Sequence, residues 1–370
     1  MRHIWAEADW PNFRWDDARL LRPLADLRYK QGLLLGQMSV LGADFSREVL
    51  LEILIDDVMQ SSAIEGEFLN PQAVRGSIAR KLGLGGAGHE DRSVEGIVQV
   101  VMDAAEHAQE PLTEERLFGW HGALFPTGRS GFHKIDVAQW RSNPVRITDG
   151  ALDPTRERVF YTAPPPERVP QEMRRLLDWF NAKTEEDPFL KAGLAHYWFV
   201  AIHPFGDGNG RIGRAIADMA LARSHPADTR CYTLSASIRS AAKDYYLTLE
   251  ATSNGTLDVT TWQSFFLDRL AHSIGLAQTV LDRSLAKARF WERNRAKGLS
   301  ARQQYVVDRL LDGFQGKMTS QKWAKIAKTS QDTATRDIFD LVEKGVLQKS
   351  ADGGRSASYE LILPSANGIS

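Results

Sequence analysis

The chain has 370 residues, 43% of them hydrophobic, and a formal net charge of −1. Its length predicts two or three globular domains of roughly 100–200 residues. Its net charge excludes nucleic-acid binding through bulk charge, so that only a local basic patch could bind nucleic acid. Cys231 is the only cysteine, which excludes an intrachain disulfide and favours a reducing, cytoplasmic location. The sequence has no apolar run of about 20 residues and no apolar signal-peptide core, so we expect no membrane association.

Residues 1–90 predict an N-terminal helical region. Leucines recur at helical spacing across residues 19–41, after an aromatic-rich start. A second apolar helical stripe covers residues 46–64, and the glycine-rich residues 83–88 predict a flexible break.

Residues 91–285 predict a helical core with one β-hairpin. Thr113 is the expected N-cap of one helix. Short strand-like runs at 145–147 and 159–161, separated by a long polar loop, predict the hairpin, which three prolines then end. Further helices are predicted at 93–107, 171–184, 188–202 and 210–222.

The last part of the chain predicts a linker helix at 286–299 and a winged helix-turn-helix domain at 300–370. Ser300 and Gln303 have the spacing of a capping box. Three short helices and a strand pair follow, which is the order of a winged helix. The helices are predicted at 301–311, 320–328 and 331–344, and the strands at 345–347 and 358–361.

The segment AIHPFGDGNGRIGR, residues 201–214, combines residue types that suit group transfer. His203 precedes a proline, so the helix before it should end and leave the imidazole in a turn. A neutral imidazole can accept a proton near pH 7. Gly206, Gly208 and Gly210 allow a ligand to approach the main chain, and the next helix begins at residue 209 or 210 with unpaired N–H groups that favour anions.

Charged side chains complete this anion site. Arg211 and Arg214 are three residues apart and therefore lie on neighbouring parts of one helical face, where both can bind phosphates. Asp207 fits beside phosphates if Mg²⁺ lies between them. The segment therefore predicts nucleotidyl or phosphoryl transfer from a nucleoside triphosphate to an alcohol or phenol.

Residues 203–214, HPFGDGNGRIGR, resemble the Fic-domain signature HPFx[D/E]GN[G/K]RxxR at every fixed position. The resemblance implies transfer of AMP from ATP to a Ser, Thr or Tyr hydroxyl of a protein, self-modification included. It implies His203 as the general base, Asp207 as the magnesium ligand, and Gly208, Asn209 and Gly210 as the anion hole. Arg211 and Arg214 would bind the triphosphate. Phosphotransferase members carry lysine where this chain has Gly210, which favours AMP transfer.

The resemblance also implies the architecture of the core, which is mainly α, a Fic-type helical bundle with a β-hairpin flap. The winged helix-turn-helix predicted from the order of helices and strands follows it. The flap would hold the target by strand addition, and Tyr161 and Thr162 occupy its edge by position. Tyr245, Tyr246 and Asn254 lie where the family lines its adenine pocket. Ordinary helix packing remains an equal alternative for these three residues.

A second stretch, SSAIEG at 61–66, resembles the family's inhibitory signature [S/T]xxxE[G/N]. Ser61 and Glu65 are four residues apart and share a helical face, and Gly66 ends that helix. The resemblance implies that Glu65 pairs with Arg214 and displaces the γ-phosphate of ATP. In some relatives the same glutamate helps water to remove AMP, so deAMPylation stays open as an alternative.

Lysine and arginine outnumber aspartate and glutamate in residues 286–349. Thr333, Thr335 and Arg336 on the second motif helix, with Arg355 in the wing, are the candidate DNA contacts. Several carboxylates make that helix nearly neutral, which is poor for binding phosphate backbones. A nucleotide-sensing transcriptional regulator that acts through the winged helix remains an alternative to the adenylyltransferase. The domain could also bind a second copy of the chain to form a homodimer.

Overall fold

The protein is described by a computed structural model, in which helices dominate and strands are few and short. Cys231 and Arg355 lie outside the described residues, as do the predicted glycine break beyond residue 85 and the loop of the predicted hairpin. The described residues are 3–85, 91–148, 158–224, 232–314, 316–350 and 357–363.

Within the described residues, fourteen α-helices and three antiparallel strand pairs alternate with short connections. The helices are α1 Asp17–Ser39, α2 Ala43–Ile64, α3 Pro71–Lys81, α4 Arg92–Glu106, α5 Glu114–Leu124, α6 Val169–Asn181, α7 Pro188–Ile202, α8 Asn209–Arg223, α9 Ser235–Ser240, α10 Ala242–Ser253, α11 Thr260–Asn294, α12 Ala301–Leu311, α13 Ser320–Ile326 and α14 Gln331–Glu343. The strands are β1 Arg129–Ser130, β2 His133–Lys134, β3 Arg146–Thr148, β4 Val159–Thr162, β5 Leu347–Lys349 and β6 Tyr359–Leu361.

The predicted mainly helical class is confirmed, and local signals explain several helix ends. Thr113 caps α5, its hydroxyl accepting a hydrogen bond from the Arg116 N–H. Ser300 and Gln303 form the predicted capping box at the start of α12. In the part of the chain that the structure describes, no helix combines the length and apolar character needed to cross a membrane.

The chain separates into two compact units, Met1–Gln278 and Thr279–Ser370, and the division falls inside α11. In the first unit, α7 and α8 pack most extensively against each other. The sequence of α7 is apolar on nearly every side, and a helix of that kind is stable only when it is surrounded; almost all of its residues are buried. The two helices form the core from which the connecting turn projects.

The hairpin predicted at 145–161 is present as β3 and β4, with a register shift between Ile147 and Thr148. A second, smaller hairpin, β1 with β2, was not predicted. Its strands have two residues each, which is too short for the alternation of polar and apolar residues that identifies a strand.

The second unit contains the three predicted helices and the strand pair β5–β6 around its own apolar core. Phe290, from the stretch predicted as a linker, is buried in that core together with Trp323 and Ile338. Of the candidate DNA contacts, Arg336 is exposed, while Thr333 and Thr335 are half-buried. Binding of DNA or of a second copy stays a prediction.

Two glycines test how closely the helices of the first unit pack. A Cβ added to Gly193 in α7 would lie 2.4 Å from Gln263 Oε1 and 2.9 Å from a ring carbon of Phe266, whereas one added to Gly36 in α1 meets nothing within 4 Å. We expect Gly193→Ala to lower the free energy of unfolding by about 1–3 kcal/mol through overpacking. Gly36→Ala should raise it by about 0.5–1 kcal/mol through helix propensity.

Urea denaturation followed by circular dichroism measures both changes. The two variants carry the same substitution in helices, so propensity alone predicts the same sign for both. Equal shifts of the unfolding midpoint would show that the contact between α7 and α11 at Gly193 is looser than the structure indicates.

Candidate active site

The turn between α7 and α8 holds the predicted base. Helix α7 ends at Ile202, and His203 follows in the left-handed conformation with φ 52° and ψ 60°. Gly208, at φ 79°, precedes α8, and a Cβ there would lie 2.8 Å from the ring of Phe125. Position 208 therefore needs a residue that tolerates a positive φ and has no Cβ, and only glycine meets both requirements. The residues of the turn itself thus account for its conformation.

The surroundings of His203 keep its imidazole neutral. Nδ1 lies 3.3 Å from the Val200 carbonyl oxygen and donates to it, which leaves the lone pair on Nε2 available. Burial lowers the pKa of His203 to about 4; the Val200 carbonyl opposes the shift and the positive charge of Arg141 adds to it. The side chain can therefore accept a proton at Nε2 near pH 7.

Two side chains fix the turn in shape. The Asn209 amide accepts from the Phe205 N–H at 3.0 Å and donates to the Phe205 carbonyl at 2.9 Å. The buried His121 donates from Nε2 to the Asp207 carbonyl at 3.2 Å, and its ring stacks on Phe205 at 4.1 Å between centroids. Asn209 therefore closes the turn with its side chain.

Arg141 is a further positioning residue that the sequence analysis missed. Its guanidinium donates to the carbonyls of His203 at 2.8 Å, Asn143 at 2.8 Å and Pro164 at 2.5 Å. The main-chain N–H of Arg141 donates to the Pro204 carbonyl at 2.9 Å. This one buried side chain joins the base, the start of the hairpin and its end. A lone arginine outside any motif gives no sequence signal for such a role.

Arg214 is 1% exposed and is bound by the residues predicted as inhibitory. Its Nε donates to Ser61 Oγ at 3.1 Å, and its Nη2 donates to the Ser61 carbonyl at 2.9 Å and to Glu65 Oε1 at 2.9 Å. Gly66, at φ 82°, ends α2 there. Burial works against the charge of Arg214, but Glu65 outweighs it and the pKa of the guanidinium is raised.

Arg211, the other motif arginine, pairs with Glu67, which the sequence analysis did not single out. The distance from Nη1 to Glu67 Oε2 is 2.7 Å, and the guanidinium lies over the Phe125 ring at 5.0 Å. The Glu67 N–H donates to the Ser62 carbonyl, so the turn at the end of α2 directs two carboxylates at two arginines. The spacing E-x-E after the helix was the available signal.

The carboxylate of Glu65 also covers the start of α8. A Cβ added to Gly210 would lie 2.2 Å from Glu65 Oε1. The first N–H groups of a helix attract anions, so Glu65 lies against the predicted anion site. Within the described residues, Arg214 Nη1 and Arg211 Nε are buried without a hydrogen-bond acceptor, which leaves donors for a further anion.

Asp207 lies at the edge of this anion site. Its Oδ1 accepts from the Gly208 N–H at 2.5 Å, and its Oδ2 accepts from the Ser130 hydroxyl. In the part of the chain described, no three His, Cys, Asp or Glu residues cluster as metal ligands. One carboxylate and one hydroxyl suit Mg²⁺, which commonly takes one or two carboxylates and completes its shell with phosphates and water.

Both hairpin residues lie in β4, and their surroundings differ. Tyr161 is buried, and its hydroxyl donates to the Ala201 carbonyl at 2.8 Å. It therefore anchors the hairpin to α7. Thr162 is half-buried, and its carbonyl accepts from the Trp5 indole at 2.8 Å.

The three residues assigned to an adenine pocket differ in burial and in their hydrogen-bond partners, although the Tyr245 and Tyr246 rings meet edge-on at 5.1 Å. Tyr245 is buried and its hydroxyl meets His196 Nε2 at 2.9 Å, which is the packing alternative. Asn254 donates to the Phe160 carbonyl at 2.8 Å and meets His3 at 2.9 Å, so it supports the hairpin. Tyr246 is 48% exposed and remains available to a ligand.

The site thus combines a neutral proton acceptor with two arginines and a helix N-terminus. Residues 111–221 match the Fic/DOC family, and residues 3–84 match a "Domain of unknown function (DUF4172)". The chain thus contains a Fic/DOC family domain.

Relatives and solved structures agree with this assignment. The chain is 25% identical over 184 residues to "Protein adenylyltransferase Fic" of Nematostella vectensis, covering 48% of this chain and 40% of the relative. It is 31% identical over 105 residues to "Protein adenylyltransferase fic-1" of Caenorhabditis elegans, covering 26% and 18%. A crystal structure of a Fic family protein from Desulfovibrio desulfuricans G20 matches with TM-score 0.55 at 22% identity, over 93% of this chain and 95% of that one, which shows a shared fold.

The site predicts an unusual titration for His203. Its pKa of about 4 lies below the value near 6.5 of an exposed histidine. We expect its ring proton resonance to titrate near pH 4, and assignment follows from loss of the signal in His203→Ala. The contribution of the neutral His203 to the free energy of unfolding should be complete above about pH 6.5 and should fall as the pH drops towards 4. A midpoint near 6.5 would contradict the buried neutral base.

Proposed function

We propose that the protein is an autoinhibited protein adenylyltransferase that moves AMP from ATP to a Ser, Thr or Tyr hydroxyl of a protein, including its own. The observation that carries this proposal is the neutral His203, which ends α7 just before the anion site of Arg211, Arg214 and the start of α8 and is close enough to Glu65 for that charge to act on its imidazole. Relatives named as protein adenylyltransferases support the choice of group.

The chemistry follows from these groups. His203 Nε2 takes the proton of the target hydroxyl, and the hydroxyl oxygen forms a bond to the α-phosphorus of ATP. The bond from that phosphorus to the bridging oxygen of the β-phosphate breaks, and pyrophosphate leaves. The arginines and the α8 N–H groups bind the anionic phosphates. Mg²⁺, when bound, would be held by Asp207 and would neutralise phosphate charge.

Autoinhibition rests on the contacts of Glu65. Its carboxylate is 2.9 Å from Arg214 and lies against Gly210. An anion at this place repels the terminal phosphates of ATP and removes a donor that they need. ATP then binds weakly or with its α-phosphorus away from His203. Transfer of AMP is therefore slow until the end of α2 moves and Glu65 leaves Arg214.

Incubation with Mg²⁺ and ATP labelled at the α-phosphate tests the two roles together. A charge-assisted hydrogen bond contributes roughly 1.5–3 kcal/mol, so Glu65→Gln and Glu65→Gly should raise labelling roughly ten- to hundredfold. Adding His203→Ala should lower it again by roughly 10²–10⁴ through loss of the general base.

Glu48→Gln, a change to an exposed carboxylate on the same helix, is the matched control and should not alter labelling. No gain with either Glu65 variant would refute autoinhibition. Glu65-dependent release of AMP from a labelled target would indicate that the protein works in the opposite direction.

Glu67 should restrain the enzyme more weakly than Glu65. It is exposed to 48% of its side chain, while its partner Arg211 is 4% exposed. Half-exposed ion pairs contribute little, about 1 kcal/mol or less. We expect Glu67→Gln to tighten ATP binding roughly twofold to fivefold, measured by calorimetry with the His203→Ala protein so that ATP is not consumed. An affinity unchanged from that of the Glu48→Gln control would show that Arg211 is accessible to ATP despite Glu67.

A further inference from the structure

The edge of β4 that faces away from β3 is occupied by side chains. Ala163, just beyond β4, donates across to the Val145 carbonyl. The carbonyls of Phe160 and Thr162 face the other way, since backbone groups alternate between the two edges of a strand. The Phe160 carbonyl accepts from Asn254 Nδ2 at 2.8 Å and the Thr162 carbonyl accepts from Trp5 Nε1 at 2.8 Å.

Residues near the start of the sequence hold both carbonyls in place, since Trp5 binds one of them and His3 binds Asn254, which binds the other. His3 Nδ1 donates to Asn254 Oδ1 at 2.9 Å, and its ring meets the Tyr161 ring edge-on at 5.1 Å. The Trp5 ring packs under the Arg168 guanidinium at 5.3 Å. The N-terminal segment, defined here as residues 3–14, therefore contacts both outward carbonyls of β4, one directly and one through Asn254.

The N-terminal segment is itself fixed to the helical core. The buried Trp10 donates from its indole to Glu172 Oε2 at 2.9 Å and meets the Trp198 ring edge-on. At its end, the Arg14 N–H donates to the Leu257 carbonyl and the Arg14 carbonyl accepts from Val259, each at 2.8 Å. A rigid anchor of this kind transmits position, because a packed interior deforms little.

The hairpin is in turn tied to the base. The Tyr161 hydroxyl donates to the carbonyl of Ala201, two residues before His203. Arg141 donates to both the Pro164 and the His203 carbonyls. A displacement of β4 is therefore coupled to the position of the proton acceptor.

We propose that the N-terminal segment is a positioning element, in which Trp5 holds β4 so that a hydroxyl presented at the hairpin reaches His203. This assigns a role to part of the domain of unknown function, and it rests on the proposed adenylyl transfer. The segment also closes the outer edge of β4, since an added strand would have to displace Trp5 and Asn254. Misplacement of about 1 Å can cost orders of magnitude in rate.

The test compares Trp5→Phe with Trp15→Phe, both in the Glu65→Gly protein. Phenylalanine keeps an aromatic ring against Arg168 but has no indole donor, and the same loss of ring size occurs in the Trp15→Phe control. Trp15 donates to Asp17 and lies outside the N-terminal segment, so its variant controls for loss of an indole N–H. We expect hydrogen exchange of residues 158–163 to be roughly five- to tenfold faster in Trp5→Phe, the effect of losing one hydrogen bond.

Labelling at saturating ATP should fall by a similar factor in Trp5→Phe, while the KM for ATP and the melting temperature stay at the control values. An equal loss of ATP affinity, or hairpin exchange identical to Trp15→Phe, would overturn the positioning role. Faster exchange without slower labelling would overturn it as well. If the Glu65→Gly protein itself transfers no AMP, adenylyl transfer fails, and the exchange comparison still decides whether Trp5 holds β4.

Discussion

The charge of Arg214 is the constraint on which the site depends. A guanidinium that is 1% exposed is stable only when anions or carbonyls surround it, because an unpaired buried charge costs several kcal/mol. Ser61 and Glu65 supply those partners from α2. The same cation therefore joins the N-terminal helices to the α7–α8 core and, under the proposed function, offers its binding capacity to a triphosphate. Inhibition and substrate binding compete for one buried charge.

The α7–α8 turn shows how closely a short sequence can determine its own geometry. Asn209 holds Phe205 through both its amide groups, and Gly208 adopts a left-handed conformation under the ring of Phe125. These requirements are local, so the ends of α7, the start of α8 and the neutral state of His203 could be argued from residue types alone. The capped helices α5 and α12 were predictable for the same reason.

Contacts between distant segments were not predictable in this way. Arg141 and His121 position the turn through hydrogen bonds to main-chain carbonyls, and any exposed arginine or histidine has the same sequence appearance. The contacts of Tyr245 with His196 and of Asn254 with the hairpin are examples, because sequence spacing does not tell which distant segment a helical residue meets. The strands β1 and β2 have two residues each and carry no periodic signal.

Residues 3–84 contact the rest of the first unit at the arginines of α8 and, separately, at the hairpin. Helix α2 and the turn after it contact Arg211 and Arg214, and the N-terminal segment contacts β4 of the hairpin. Each contact involves main-chain atoms or buried charges, so neither can shift without a cost of order 1 kcal/mol or more. Under the proposed function, loosening of α2 frees the arginines alone, provided that the separate anchor of residues 3–14 at Trp10 and Arg14 persists. The nucleotide side and the target side of the proposed reaction therefore depend on separate contacts of residues 3–84.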